Sequence, residues 1–284
     1  MLPSPINDQA AGLRRMLGKT QVHKYVILSA IPASQKNTLL LNLASSFIHT
    51  GSFAHILDTR IDEGGISART QQCQKLDLWD LAFKDQPLHR GFYEYVQGGR
   101  ISKLSNEPTQ QMFDTQSRIQ KLSSMIQDLS TDSNIWLIDT EFGLDNPFLI
   151  PEFSDSEIIL LVSNTSHSIK KGYSYIKHVC HMIGRRNVAL MVVNADESQS
   201  QLVHKNMSSA AKQYLSMNIK YLGAIPQDDH LARATQLGQA IIDAFPLSKA
   251  STAFRAVVNQ LLGNPATNMI APPMSNLNHL ILEH

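Results

Sequence analysis

Residues 24–44, with the sequence KYVILSAIPASQKNTLLLNLA, decide how the rest of the chain is interpreted. They begin with a short apolar strand over residues 25–29 and lead into an apolar-rich helix over residues 37–48. The turn between a strand and a helix of this kind is where nucleotide-binding proteins hold phosphates. Glycines there let successive backbone N–H groups surround the anion, and a Lys-Ser or Lys-Thr pair supplies a positive charge and a Mg²⁺ ligand.

The turn keeps only part of that chemistry. Lys36 stands where the loop lysine is expected, and it is followed by Asn37 and Thr38. The positions that should hold glycines carry other residues, namely Ala30, Pro32, Ala33 and Gln35. Proline removes a donor N–H, and side chains make left-handed backbone conformations costly. The stretch is therefore either a chance resemblance to a phosphate loop or a degenerate site.

The composition is that of a globular protein. The chain has 284 residues, of which 43% are hydrophobic and 17% charged, and its formal net charge is +1. This near-neutral charge offers no electrostatic footprint for nucleic acid, so we expect no direct nucleic-acid partner. The two cysteines, Cys73 and Cys180, lie far apart and predict no disulfide framework, which fits a cytoplasmic location.

Apolar runs and helical stripes alternate along the chain. After the first strand, predicted strands end near residue 57 and cover residues 134–139, 157–163, 188–194 and 219–223. Predicted helices after the first cover residues 109–130, 169–183, 201–215 and 248–262. The alternation predicts an α/β fold with a mostly parallel, doubly wound sheet and helices on both faces.

The same patterns divide the chain into three parts. Residues 1–22 form an N-terminal arm, in which residues 5–18 have the spacing of a short amphipathic helix. Residues 23–263 form a single domain, because no Pro-, Gly- or Ser-rich linker interrupts them. Residues 264–284 are interrupted by prolines and contain no Lys or Arg, so we interpret them as a flexible tail; the last three residues fit a remnant of cloning.

Two acids follow predicted strands. Asp58 and Asp139 stand at strand ends, which is the edge where parallel α/β sheets bind ligands. They are candidate Mg²⁺ ligands if a nucleotide binds, and otherwise they cap the turns that follow. The histidines are scattered, and His178 and His181 lack the spacing of a helical metal site, so we predict no metal site apart from a nucleotide-bound Mg²⁺.

With these elements in place, the chain resembles the MinD/ParA group of deviant-Walker P-loop ATPases, and within it the FlhG/FleN family of flagellar number regulators and antiactivators of flagellar biosynthesis. The matching stretches are DQAAGLRRM (8–16), SAIPASQKNTLLLNLA (29–44), HILDTRIDEGG (55–65), WLIDTEFG (136–143), VVNADE (192–197) and GAIPQDDHLARATQLGQAIIDAFPLSKASTAFRAV (223–257). The first of them resembles the family's N-terminal DQA-x-x-LR helix and is the most diagnostic.

The resemblance implies a nucleotide site and names its residues. Lys36 matches the conventional loop lysine, Asp139 the Walker B acid and Asn194 the residue that reads adenine. The full set implied for nucleotide binding is Lys36, Thr38, Asp58, Asp139, Asn194 and Pro226. Mg²⁺ would be held through Asp58 and Asp139, so ATP and Mg²⁺ are the cofactors that the resemblance allows.

Three departures from the family pattern point away from catalysis. Ile31 aligns with the signature lysine that reaches the partner subunit's phosphates, and Asn37 replaces the hydroxyl that would bind Mg²⁺. Arg60 replaces an acid that helps to orient the attacking water, and a guanidinium cannot accept a hydrogen bond. Phosphoryl transfer depends on such charges, and comparable cationic fingers contribute about 10³–10⁵ in rate. We therefore do not expect efficient ATP hydrolysis, and we assign a catalytic role to no residue.

The resemblance also implies protein partners. Asp8, Gln9, Leu13 and Arg14 in the arm would dock a flagellar SRP-type GTPase, with Gln9 and Arg14 at or near its active site. A flagellar transcription activator is the second implied partner. The tail lacks the cationic face that anionic lipids attract, so we predict no stable membrane attachment. The expected assembly state is a monomer or a nucleotide-independent dimer.

Three hypotheses follow from the sequence. The first is a regulatory, protein-binding pseudo-ATPase of a flagellated bacterium. The second is an ATP-binding MinD/ParA-like switch ATPase with an atypical phosphate loop. The third is an accessory protein of another surface apparatus, such as pili or cellulose export, which the arm helix argues against.

Overall fold

A computed structural model describes residues 22–69, 76–84, 86–107, 116–141 and 146–263. In these ranges one sheet has the strand order β3-β4-β2-β5-β1-β6-β7-β8. Its strands are β1 (His23–Ser29), β2 (Ala54–Asp58), β3 (Phe92–Val96), β4 (Gly99–Lys103), β5 (Ile135–Asp139), β6 (Glu157–Ser163), β7 (Val188–Val193) and β8 (Ile219–Ile225). All neighbouring strands pair in parallel except β3, which pairs antiparallel with β4.

Helices cover both faces of this sheet. They are α1 (Ala33–Ile48), α2 (Ile66–Arg69), α3 (Leu78–Lys84), α4 (Gln116–Asp132), α5 (Ser166–Ile183), α6 (Glu197–Leu215), α7 (Asp229–Gln236), α8 (Ile241–Ala244) and α9 (Lys249–Leu261), with 3₁₀ turns at Leu88–Arg90, Pro147–Leu149 and Pro151–Phe153. No helix in the described ranges is both long enough and apolar enough to cross a membrane.

Two hydrophobic cores lie on opposite faces of the sheet, because successive residues of a strand point to opposite sides. Val26 and Leu28 of β1 enter the core under α4, α5 and α6. Tyr25 and Ile27 enter the core under α1 and α9. β1 and β5 are central strands buried on both faces, which explains their continuous apolar sequences. The predicted single-domain, doubly wound α/β fold is confirmed.

The cap residues confirm part of the helix prediction. Ser248 accepts a hydrogen bond from the N–H of Ser251 and begins α9, as the sequence predicts. The hairpin of β3 and β4 was not predicted; its turn uses Gly98 at φ 83°, a conformation that favours glycine. The predicted helix over residues 5–18, residues 109–115, Cys73 and the tail lie outside the described residues.

Candidate functional site

The segment between β1 and α1 differs from the predicted phosphate loop in one important way. α1 begins at Ala33, three residues before Lys36, so only residues 30–32 connect it to β1. The backbone N–H of Lys36 donates to the carbonyl of Pro32 at 3.0 Å. The prediction that the helix begins near residue 37 was therefore wrong, because Ala33 and Gln35 favour helix where glycines would have kept the loop open. The first turn of α1 thus occupies the place where the backbone of a phosphate loop would surround the phosphate.

The side chain of Lys36 is fully buried and points at Asp139. Its Nζ lies 2.5 Å from Oδ1 of Asp139, contacts Oδ2 as well, and lies 3.3 Å from the carbonyl oxygen of Gly64. Both side chains have 0% exposure. Burial lowers the pKa of Lys36 and raises that of Asp139 to about 6, and in each case the charge of the partner counteracts the shift. Lys36, the predicted loop lysine, is thus paired with Asp139, the predicted Walker B acid.

Asp58 is also buried, beside Asp139 in the register of β2 and β5. Its Oδ1 accepts from the N–H of Arg60 at 3.0 Å and its Oδ2 from the N–H of Ser67 at 2.9 Å. The Nζ of Lys103 lies 3.7 Å from Oδ2. The carboxylate therefore organises the turn after β2 and the start of α2, in agreement with the interpretation of Asp58 as a cap.

Asn37 fastens the segment after β2 to the start of α1. Its Nδ2 donates to the carbonyl oxygens of Gly64 and Gly65, each at 3.3 Å. Its buried Oδ1 has no hydrogen-bond partner within the described ranges. The amide that replaces the usual hydroxyl thus holds the protein's own backbone.

Arg60 joins the segments that follow β2 and β5. Its guanidinium donates to both carboxylate oxygens of Asp62, at 2.8 and 2.5 Å, and to Oε2 of Glu141 at 2.5 Å. Burial opposes the charge on Arg60, but the hydrogen bond to Asp62 and the charge of Glu141 outweigh it and raise the pKa of Arg60. The same hydrogen bond lowers the pKa of Asp62.

Comparisons with known proteins agree with the fold and with the sequence resemblance. No protein-family model matches the chain. Over 142 residues it is 28% identical to the antiactivator FleN of Pseudomonas aeruginosa, and the match covers 49% of this chain and 50% of FleN. The chain thus matches about half the length of that curated relative. The chain is thus similar to an antiactivator of the FlhG/FleN family, in agreement with the resemblance found in its sequence.

Solved structures show that the chain has the fold of MinD/ParA-type proteins. It superposes on the MinC:MinD complex of Aquifex aeolicus with a TM-score of 0.61, at 17% identity, over 86% of this chain and 97% of the other. A ParA-family ATPase from Chlorobium tepidum gives a TM-score of 0.61, at 15% identity, over 86% and 99% of the two chains. MinD of Pyrococcus horikoshii, complexed with Mg-ADP, gives 0.59 at 18% identity over 85% and 96%. At these identities the similarity concerns the fold alone.

Within this fold the predicted nucleotide residues separate into groups. Lys36, Asp58 and Asp139 lie together at the carboxyl edge of the sheet. Asn194, at φ 55°, donates its N–H to the carbonyl of Ile225 at 2.8 Å and so lies beside Pro226 at the ends of β7 and β8. The hydroxyl of Thr38 donates to the carbonyl of Ser34 within α1 at 3.1 Å.

Two charged residues beside the site were not predicted, and four predicted residues lie outside the described ranges. Lys103 and Glu141 complete the charge network of the site, but nothing in the sequence pattern singles them out. The arm residues Asp8, Gln9, Leu13 and Arg14 lie outside the described residues, so their docking role stays a prediction. Among the described residues, no cluster of three His, Cys, Asp or Glu side chains is arranged to hold a metal.

The residues of the site do not fit a Mg-nucleotide. A phosphate needs free backbone N–H groups and a free ammonium, but the N–H of Lys36 is bonded within the first turn of α1 and its Nζ is bonded to Asp139. The amide of Asn37 faces the carbonyls of Gly64 and Gly65. The Nζ of Lys36 is thus bonded to Asp139 and the Nδ2 of Asn37 to backbone carbonyls, whereas Oδ1 of Asn37 has no partner among the described residues.

Proposed function

We propose that this chain is a regulatory, protein-binding pseudo-ATPase that acts in the cytoplasm of a flagellated bacterium. Its arm, residues 8–16, would dock an SRP-type GTPase of the flagellar system, and the chain would also restrain a flagellar transcription activator. It would work as a monomer or as a dimer that forms without nucleotide. The similarity to the antiactivator FleN supports the regulatory part of this proposal.

One observation carries the pseudo-ATPase part of the proposal: the buried ion pair between Lys36 and Asp139. In a working phosphate loop the lysine ammonium faces the nucleotide phosphates and the Walker B acid serves the metal ion. Here the two groups neutralise each other in a site from which water is excluded. Admitting a nucleotide would require this pair to separate, and a buried charge that loses its partner is strongly unfavourable.

This arrangement supports the proposal of protein docking without a nucleotide cycle. In GTPase switches, contacts with the γ-phosphate and its Mg²⁺ order the two switch segments, which are released on hydrolysis. In this chain the segments after β2 and β5 are held by Arg60, Asn37 and Asp58 instead. The regulatory surface would therefore be presented continuously, and its activity would be set by the amount of protein and by competition among partners.

Calorimetric titration of the purified chain with Mg-ATP and Mg-ADP tests the pseudo-ATPase proposal. We expect no saturable heat up to about 1 mM nucleotide, where even a weak site releases about 4 kcal/mol of binding free energy. A MinD protein with an intact phosphate loop, titrated in parallel, is the positive control. Saturable binding of ATP by this chain would instead favour the second hypothesis, an ATP-binding switch with an atypical loop.

The docking role of the arm is tested separately, by replacing Gln9 and Leu13 together with alanine. We expect the variant to stimulate the flagellar SRP-type GTPase at least about tenfold less than the parent chain, because loss of a central contact typically costs 1.4 kcal/mol or more. The matched control replaces Gln236 and Leu247, which are exposed on the domain surface. Equal stimulation by both variants would show that the arm does not dock the GTPase.

A further inference from the structure

We propose that Arg60 is a positioning residue whose guanidinium bridges two segments of the chain. In proteins that switch with a bound nucleotide, Mg²⁺ and the γ-phosphate hold the corresponding switch segments. Arg60 would hold the segments after β2 and β5 in one fixed arrangement without any ligand. This inference rests on the proposed function, because it explains how the chain keeps an ordered regulatory surface without a nucleotide.

The contacts of the guanidinium are those of a bridging cation. Asp62 belongs to the segment after β2 and Glu141 to the segment after β5, and they lie 79 positions apart in the sequence. Arg60 bonds Asp62 through two nitrogens, at 2.8 and 2.5 Å, and Glu141 through one nitrogen at 2.5 Å. The planar fork of arginine suits such two-pronged contacts, and its charge is permanent.

The surroundings of Arg60 hold its position from both sides. Its side chain is only 10% exposed. Its backbone N–H donates to Asp58 and its carbonyl accepts from the ammonium of Lys103, so the main chain is fixed as well. A Cβ added to Gly64 would lie 2.8 Å from Nη2 of Arg60, so glycine at this position makes the close approach of the loop possible.

The charge balance shows why a cation is needed at this place. Four carboxylates meet at the edge of the sheet, from Asp58, Asp62, Asp139 and Glu141, and the cations beside them are Lys36, Lys103 and Arg60. Lys36 is occupied by Asp139, and Lys103 lies beside Asp58. Without Arg60, the carboxylates of Asp62 and Glu141 lose the cation that joins them. Hydrated Mg²⁺ binds through one or two carboxylates, so it is the natural replacement.

Thermal unfolding of three variants in nucleotide-free buffer tests the proposal. Arg60→Ala removes the bridge, Arg60→Asp adds a fifth carboxylate, and Arg60→Lys keeps the charge without the fork. In EDTA we expect Arg60→Ala and Arg60→Asp to unfold about 5 °C below the parent chain, and Arg60→Lys to lie between. Adding 10 mM MgCl₂ should raise the Tm of Arg60→Asp by about 3 °C or more, whereas the Tm of the parent chain should not change.

The controls separate a bridging role from ordinary packing. Arg233→Asp, a matched charge reversal on an exposed position of α7, should show no Mg²⁺ response, and NaCl of equal ionic strength should not replace MgCl₂. If Arg60→Asp does not fold, hydrogen exchange of Arg60→Ala decides: amides of residues 61–67 should exchange at least about tenfold faster than in the parent chain. Arg60→Lys should restore part of this protection.

Two results would overturn the role of Arg60: Mg²⁺ stabilises the parent chain as much as Arg60→Asp, or residues 61–67 are as protected in Arg60→Ala as in the parent. Both are measured without nucleotide and without a partner protein. Either result would thus refute the role of Arg60 without bearing on nucleotide binding. Saturable ATP binding in the calorimeter would instead refute the pseudo-ATPase proposal and would leave the contacts of Arg60 unaffected.

Discussion

Lys36→Met is expected to destabilise the folded chain by about 3–5 kcal/mol, because it leaves the buried carboxylate of Asp139 without its partner. In a working phosphate loop the lysine contacts the phosphates of the bound nucleotide, so the same substitution would mainly impair nucleotide binding. The free energy of unfolding, measured in urea without nucleotide, distinguishes the two situations. Unchanged stability would mean that the pair does not form.

A double variant makes the interpretation specific. Lys36→Met combined with Asp139→Leu removes both charges and should recover most of the lost stability, because an apolar pair can replace a buried ion pair at little cost. Lys84→Met is the matched control: Lys84 also pairs with an aspartate, Asp80, but both side chains are about half exposed. Removing that surface pair should cost less than about 1 kcal/mol.

Gly65→Ala is expected to cost about 3 kcal/mol in stability and to loosen the segment after β2. A Cβ at this position would lie 2.6 Å from Oδ1 of Asp58 and 2.8 Å from its Cγ. The carboxylate is buried and holds the N–H groups of Arg60 and Ser67, so it cannot move aside without breaking these bonds. The estimate combines overpacking, about 1–3 kcal/mol, with weakened hydrogen bonds to a buried charge.

Gly51→Ala is the comparison for this substitution. Gly51 has φ 84° and no atom within 4 Å of an added Cβ, so its replacement reports backbone strain alone, about 1–2 kcal/mol. A cost for Gly65→Ala no larger than that for Gly51→Ala, together with unchanged hydrogen exchange of residues 61–67, would contradict the close contact between the loop and Asp58.

The fold could be predicted because its signals are local. Four strands are short apolar runs that are buried on both faces of the sheet, namely β1, β5, β6 and β7. A sequence in which such runs alternate with amphipathic helices is compatible with few folds. The β3–β4 hairpin was not predicted because its burial pattern is irregular and its pairing shifts between Glu94 and Val96. Irregular strands at a sheet edge lack the alternation on which the prediction depends.

The candidate site could be predicted only in part. Lys36, Asp58 and Asp139 were found because each follows or precedes a recognisable strand or helix. Their bonding could not be inferred, because the sequence does not show that Lys36 turns toward Asp139 and away from solvent. The predicted start of α1, at residue 37, came too late, because the prediction assumed an open phosphate loop before Lys36. Ala33 and Gln35 favour helix, and α1 begins at Ala33.

The burial of Ile31 limits which side chains this position can hold. Ile31 is 7% exposed and packs in the core under α1 and α9, at the position where the sequence resemblance implies a signature lysine. A lysine at this position would place an unpaired charge in an apolar core. If the site is degenerate, as we propose, ATP turnover would need several simultaneous changes, to Ile31, to the loop residues without glycine and to Arg60. A single substitution would then not be enough to give the chain ATPase activity.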